Sequence, residues 1–569
     1  MKDKRREMVK FCDLKYQRPD FKKEEQEIRD YIETLKHVSS GKELKEVYQK
    51  EQKRSEYLQT MQVLASIRNS IDTRDEFYEN EMKIFHGEIP KIVLLYQEAN
   101  KVILDSPYRE ALQEGMPATL LTDMEIEQTL ASEEVVKDME QEALLCQQYS
   151  ELTAVSQIQF QGESCNFYQL LKYMQSSRRE VRKGAFEAWA ALYEQIAPEL
   201  DKIYDDLIRI RVGMAEKLGY ESYTKFRFAA LRRYDYKEGD ARQFRSQIRE
   251  VVVPFCQKLY KEQQAQLGIE TLYYYDESIS NPNGNAVPKG TPQELVEKAQ
   301  QMYHQLSPET GEFFDVMKES ELFDLETRPG KRPGGYCTFL ARDRVPFIFS
   351  NFNGTSADVD VLTHEAGHSF AAYETGKTEI PGDYVFPVNE IAEIHSMTME
   401  LFTYLWMELF FGEQAEQYRY THLADAVKVI PYLVCVDEFQ HRVYANPDMT
   451  AKERRAVWHE LEKVYLPWRN YAGNQFLEEG GFWMQKQHIF LFPFYYLEYA
   501  LAQMGAFEFF VKSKQDFQNV WEDYYRLCRV GGSMGYFDTL KFAGLSNPFE
   551  KGTVRSIMEG VARELNLSL

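Results

Sequence analysis

No stretch of this 569-residue chain is apolar and uncharged for long enough to cross a bilayer, so a membrane-spanning role is not expected. The opening MKDKRREMVKFCDLKYQRPDF is basic but lacks the apolar run of a secretory signal. Cysteine is scarce. The seven residues Cys12, Cys146, Cys165, Cys256, Cys337, Cys435 and Cys528 are scattered and never spaced as C-x-x-C. An odd, dispersed set argues against a disulfide framework and a thiolate metal site, and for a cytoplasmic home. Positive charge is in deficit too. Against 68 Lys and Arg stand 90 Asp and Glu, a net charge of −22, which favours neither nucleic acid nor an anionic membrane as partner. No serine or cysteine sits where a nucleophile-elbow context is evident. Histidine is rare as well, with ten in the chain, which gives weight to any pair of them at meaningful spacing.

Most of the first half reads as helix. Ile28, Tyr31, Ile32 and Leu35 follow helical spacing among charged residues, and Ser39-Ser40-Gly41 ends that run. Further amphipathic stretches run from Leu44 to about Ile71 and from Ile92 to Ile103, with Gly87 and Pro90 expected as breaks. SNPNGNAVPKGTP (Ser280 to Pro292) is a turn-rich loop or linker that ends in a helix start. Thr291 suits the N-cap, Pro292 the first helical position and Glu294 the reciprocal capping position. Near Gly330 the character changes. GKRPGGYCTFL is glycine-rich, and Arg344 to Phe352 (RVPFIFSNF) is a β-rich run that Pro346 restricts to an edge or to a strand start. After Asn353-Gly354, Thr355 or Ser356 can cap a helix from about Ala357 to Glu374, closed by Gly376. The fold expected is mainly α, with a small β-sheet beside the helix that carries the chemistry. Residues 1–160 form an N-terminal helical region and 161–565 a catalytic region.

That helix contains Val361-Leu362-Thr363-His364-Glu365-Ala366-Gly367-His368. Residues four apart on a helix point the same way, so both imidazoles can grip one cation at about 2.0–2.1 Å. Glu365 is displaced round the helix, poorly placed as a ligand and well placed as a general base for water at the metal. This is the H-E-x-x-H arrangement. A catalytic site of this type needs a third protein ligand and an open position. Glu390, Glu393, His395 and Glu400 are the candidates, and spacing makes Glu393 the leading one. Glu400 and Asp360 are candidates to hold the imidazoles from behind. The donor set implies one Zn2+ ion, although manganese or cobalt accepts the same three groups.

Several separated segments then resemble one family, the thimet oligopeptidase and oligoendopeptidase F group of zinc metallopeptidases. Gly330 to Cys337 resembles its glycine-rich segment, Phe347 to Thr355 the strand and turn before its zinc helix, and Glu393 falls at its third ligand. His488, with Tyr496 and Tyr499 three residues apart, resembles its substrate-facing cluster, in a register where Tyr495 competes with Tyr496. Phe492-Pro493-Phe494 in place of glycines favours the oligoendopeptidase F branch. The resemblance covers roughly Gln161 to Phe549. It implies two helical lobes around a deep substrate channel, and a zinc endopeptidase of short unstructured oligopeptides in which Glu365 activates water. His488, Tyr496 and Tyr499 would stabilise the carbonyl oxygen. The strand Val345 to Phe352 is expected to pair with extended substrate. The competing readings are a zinc carboxypeptidase or dipeptidase, which would need a cation such as Lys331 or Arg332 for the terminal carboxylate, and a non-catalytic peptide-binding protein.

Overall fold

A computed structural model describes residues 10–165, 170 and 173–569; the basic stretch at residues 1–9 lies outside the described residues. The described residues are mainly helical, with two small sheets among them. It divides into two compact units, each assembled from three stretches of sequence. The first takes residues up to Gln128, Ala286–Glu416 and Glu508–Ser546; the second takes Thr129–Asn285, Gln417–Phe507 and Asn547–Leu569. The turn-rich loop at 280–292 contains one of the crossings between them. Its capping is as the sequence predicts: Thr291 Oγ1 accepts from Glu294 N, Glu294 Oε2 accepts from Thr291 N at 2.7 Å, and Pro292 opens the helix.

In the first unit, α1 (Gly41–Ile71) starts at Ser40, whose side chain accepts from Glu43 N. The next helix corrects the sequence reading. It runs unbroken from Glu76 to Asp105, through both Gly87 and Pro90. Those two residues are exposed while Phe85, Ile92 and Leu95 are buried, so the hydrogen bond that Pro90 cannot make is missing on the wet side.

The sheet of this unit contains β1 (Phe323–Glu326), β2 (Tyr336–Leu340) and β3 (Val345–Phe352) in the order β1-β3-β2. β3 is therefore the central strand, parallel to β1 and antiparallel to β2. Pro346 is tolerated because its missing N–H would face the same side as Ile348 N, which donates to Leu322 O at 3.0 Å, and β1 begins only opposite Ile348, so no strand stands against the proline on that side. With neighbours on both sides, β3 has no edge to offer a substrate. The edges are β1 and β2, and of the two β2 packs on the next helix.

α2 (Ala357–Gly376) differs at both ends from the expectation. Neither Thr355 nor Ser356 caps it with a side chain; Asp358, inside the first turn, reaches back to accept from Asn353 N and Gly354 N at 2.9 and 2.7 Å. Gly376 belongs to the helix, where its bare Cα lets the Phe339 ring approach: a Cβ there would stand 3.1 Å from that ring. α2 packs along α3 (Asn389–Phe402) at Gly367. A Cβ on Gly367 would lie 2.6 Å from Ser396 Cα and 2.7 Å from His395 O, so the two helices approach as only glycine allows.

The second unit is built around a helix of 39 residues, Arg179–Lys217, with a short hairpin pairing Ile158–Phe160 to Glu163–Cys165.

Substituting Gly367→Ala should force α2 from α3 and cost about 1–3 kcal/mol, as overpacking does. Gly87→Ala, at an exposed helical position with open space around it, should gain about 0.5–1 kcal/mol. Paired denaturant titrations check both signs.

Candidate metal centre

The close approach at Gly367 brings a carboxylate of α3 onto the histidines of α2. His364, His368 and Glu393 offer one ligand atom each, all within 4.8 Å of one another. Glu393 Oε2 lies 3.3 Å from His364 Nε2 and 3.7 Å from His368 Nε2. Ligands about 2.0–2.1 Å from a tetrahedral ion stand roughly 3.4 Å apart, so the residues present fit a small divalent cation. The rings are held from behind. His364 Nδ1 is 2.5 Å from Glu400 Oε1, and His368 hydrogen-bonds the backbone at Ala392. Ser396 Oγ donates to Glu393 at 3.2 Å.

The other α3 candidates lie elsewhere. His395 is buried and its carbonyl accepts from Tyr524 Oη at 2.8 Å. Glu390 is buried near enough to Tyr536 to raise that phenol's pKa.

The electrostatics call for positive charge. Burial works against a charged His364, yet hydrogen bonds to Glu393 and Glu400 outweigh it and hold the imidazole well above its usual value. Burial dominates at His368, which is pushed down to about 4. Burial would raise Glu393, but His364 and His368 keep it below the usual carboxylate range. Glu365, almost wholly enclosed, is raised by burial to about 7. The sequence reading missed what faces it. Gly335 lies against it: a Cβ there would stand 3.8 Å from Glu365 Oε1, at ordinary contact distance. Cys337 Sγ lies 3.1 Å from Ser369 Oγ beside it. The glycine pair in the segment GKRPGGYC was the available signal.

Of the two cationic sequence candidates, one is otherwise engaged. Lys331 is buried over the Phe349 ring, with its amine on Asp324 Oδ1 at 2.6 Å and on Ser350 O; Arg332 is exposed. Gly531-Gly532-Ser533-Met534-Gly535 has the letters of a nucleophile elbow, but it joins two helices with no strand before it.

In the second unit, His488 lies on the short helix Gln487–Leu491 and Tyr496 opens the helix Tyr496–Ser513. Between them Phe494 takes a left-handed backbone (φ 64°). That strained turn is over-determined: its N donates to Gln440 Oε1 at 3.0 Å, its O accepts from Arg233 at 2.7 Å, and Arg233 also pairs with Glu498 at 3.0 Å. The turn brings together all the aromatic candidates. The His488 ring lies 4.7 Å from Tyr496 and 5.7 Å from Tyr495, and Tyr499 Oη bonds Tyr495 Oη at 3.4 Å. Tyr496 is buried, whereas Tyr495 and Tyr499 are partly exposed. His488 Nδ1 is buried with no hydrogen-bond partner among the described residues, and burial drives the ring down to about 4.

The chain matches known peptidases along most of its length. The family model of peptidase family M3 matches residues 172–559, and that of the peptidase M3 N-terminal domain residues 11–131. A solved structure assigned as oligoendopeptidase F is 41% identical with a TM-score of 0.92, covering 98% of this chain and 99% of its own. PZ peptidase A with an inhibitor is 40% identical, with the same TM-score and coverage. The chromosomal oligoendopeptidase F of Lactococcus lactis subsp. cremoris is 24% identical over 319 residues, 51% of each chain, so the match spans about half the length of that relative.

Replacing Glu400 by Gln should leave the fold intact and weaken metal retention by about 10–100-fold, the usual effect of losing a carboxylate behind a ligating imidazole. Competition with a chromogenic chelator measures it.

Proposed function

The chain belongs to peptidase family M3, and from that premise we propose that it is a zinc-dependent endopeptidase of short, unstructured oligopeptides. The observation that carries the proposal is the convergence of His364, His368 and Glu393 on one point, with Glu365 enclosed beside them.

The three ligands would hold the ion, and two imidazoles with one carboxylate are a zinc-type set. Zinc bound there supplies Lewis acidity toward water and the substrate carbonyl. Glu365 takes the proton from water and passes it to the leaving amine. A carboxyl that burial raises to about 7 suits both halves of that transfer. Glu400 fixes the His364 ring through Nδ1, which leaves Nε2 facing the point it shares with His368 and Glu393, where its lone pair would serve the ion. On the family resemblance, His488, Tyr496 and Tyr499 donate to the carbonyl oxygen as it gains charge. Tyr495 is tied to Tyr499 by their shared hydroxyl contact and supports it.

Extended substrate is assigned to β2, which has a neighbour on one side only. Main-chain pairing there ignores side-chain identity, so specificity is broad. A cavity of about 420 Å³ lined by Gln59, Gln62, Thr338, Phe339, Asp383 and Phe386 adjoins the strand and leaves room for peptide beyond it. With Lys331 committed to Asp324, the cation that a strict carboxypeptidase requires would have to be the exposed Arg332. Seven unpaired thiols are consistent with a cytoplasmic setting.

Glu365→Gln should retain the metal and lower kcat by roughly 10²–10⁴-fold on a quenched fluorescent peptide. Unchanged turnover would remove Glu365 from its role. Chelation should abolish hydrolysis, with one equivalent of Zn2+ restoring it. Mass spectrometry of a C-terminally amidated peptide should show cuts at internal bonds; cleavage confined to peptides with a free terminus would return the carboxypeptidase reading.

A further inference from the structure

Lys486 lies two residues before His488. Its amine stands over two aromatic faces, 5.7 Å from the Tyr432 ring centre and 5.5 Å from that of Tyr496. The side chain is partly exposed, so solutes can reach it, yet most of it is enclosed. No carboxylate among the described residues pairs with it, and burial opposes its charge. Two other enclosed lysines show the ordinary arrangement: Lys331 is paired with Asp324 and Lys428 with Asp425. An enclosed cation costs free energy unless it is paired. Tyrosine faces recover part of that cost, and a partner anion would recover the rest.

We propose that Lys486 is an anion-binding residue of the substrate site: its amine, held over Tyr432 and Tyr496 beside His488, receives a carboxylate of the bound peptide. The inference rests on the reading above, which gives His488 and Tyr496 to the substrate. His488 touches the Tyr496 ring at 4.7 Å, and Tyr432 lies 6.2 Å from the same ring, so the amine shares its aromatic wall with those groups. In a chain of net charge −22 the general field repels anions, so a single unpaired cation in an enclosed place discriminates strongly. The carboxylate is either the C-terminus of the peptide or an acidic side chain. The chemistry at Lys486 is the same for both.

The amine is also the group here that changes charge near neutrality. Burial lowers its pKa to about 8, while it pushes the Tyr432 and Tyr496 phenols up and the His488 ring down to about 4. The phenols therefore stay protonated and the imidazole neutral through the range in which Lys486 titrates.

The test uses one labelled peptide in three forms: with a free C-terminus and an internal Glu, amidated, and with that Glu changed to Gln. Anisotropy titrations are made on the full chain carrying Glu365→Gln, so that nothing is hydrolysed. Removing the carboxylate that Lys486 reads should weaken binding about tenfold or more, the scale of a hydrogen bond between charged groups. The form that responds identifies the source. Lys486→Arg should keep this preference and Lys486→Met should lose it. Equal affinity for all three forms with Lys486 present, or a preference that survives in Lys486→Met, overturns the proposal. Should Lys486→Met lack native helix content by circular dichroism, the unaltered lysine decides. Its preference should hold at neutral pH and fade as pH rises past about 8, and a preference independent of pH overturns the proposal. A parallel turnover assay with Glu365 intact separates the two readings. Hydrolysis without carboxylate preference sinks this one alone, and preference without hydrolysis sinks the peptidase reading alone.

Discussion

The metal centre depends on one packing contact, the seam where α2 and α3 meet at Gly367. Metal ligands on two helices converge only if the backbones approach closely, and a Cβ at Gly367 would stand 2.6 Å from Ser396 Cα. The glycine is one of the two unspecified positions in the signature, where a sequence pattern assigns no chemistry. Its function is carried out three residues away, where Ser396 is fixed against it and Glu393 turns its carboxylate to both imidazoles. The same seam leaves Glu400 one turn further on, behind His364. Geometry and second-layer support come from a single close approach.

The second unit solves a related problem by strain. Aromatic residues adjacent in sequence point in different directions, so which tyrosines share a face depends on the turn that precedes them. Phe494 holds a left-handed backbone that a bulky residue adopts only under constraint, and a buried arginine bonded to its carbonyl and to Glu498 provides that constraint. Arg233 thereby sets the register of Tyr495, Tyr496 and Tyr499 from far away in the chain.

These two devices mark what was legible in the sequence. Helix content, the capping at Thr291 and the alignment of His364 with His368 are local, set by spacing within a few residues, and each could be read directly. Glu393 was one of four candidates because a helix of known phase still has an unknown partner. Pro346 allowed both an edge and a strand start, and the pairing that decides between them is tertiary: β1, from upstream in the chain, lies along β3 and takes its place at that edge of the sheet. Gly87 and Pro90 looked like breaks because their exposure, which makes a missing backbone bond cheap, is not written in the residues themselves. Lys486 looked like any surface lysine, since nothing in sequence says which tyrosines will close around an amine.

The charge balance of the centre follows from the same seam. Two carboxylates, Glu393 and Glu400, are brought against His364, and Glu365 is buried nearby. Buried acids repel one another and are stable only with positive charge between them. With no cation present a proton on His364 serves, which is why its basicity is raised despite burial. A divalent ion placed among the three ligand atoms supplies more charge than that proton and displaces it, so binding the ion and losing the proton are one event. The site is thus a competition between a proton and a metal for the same negative pocket. Falling pH favours the proton, and the geometry at Gly367 keeps the contest confined to one place.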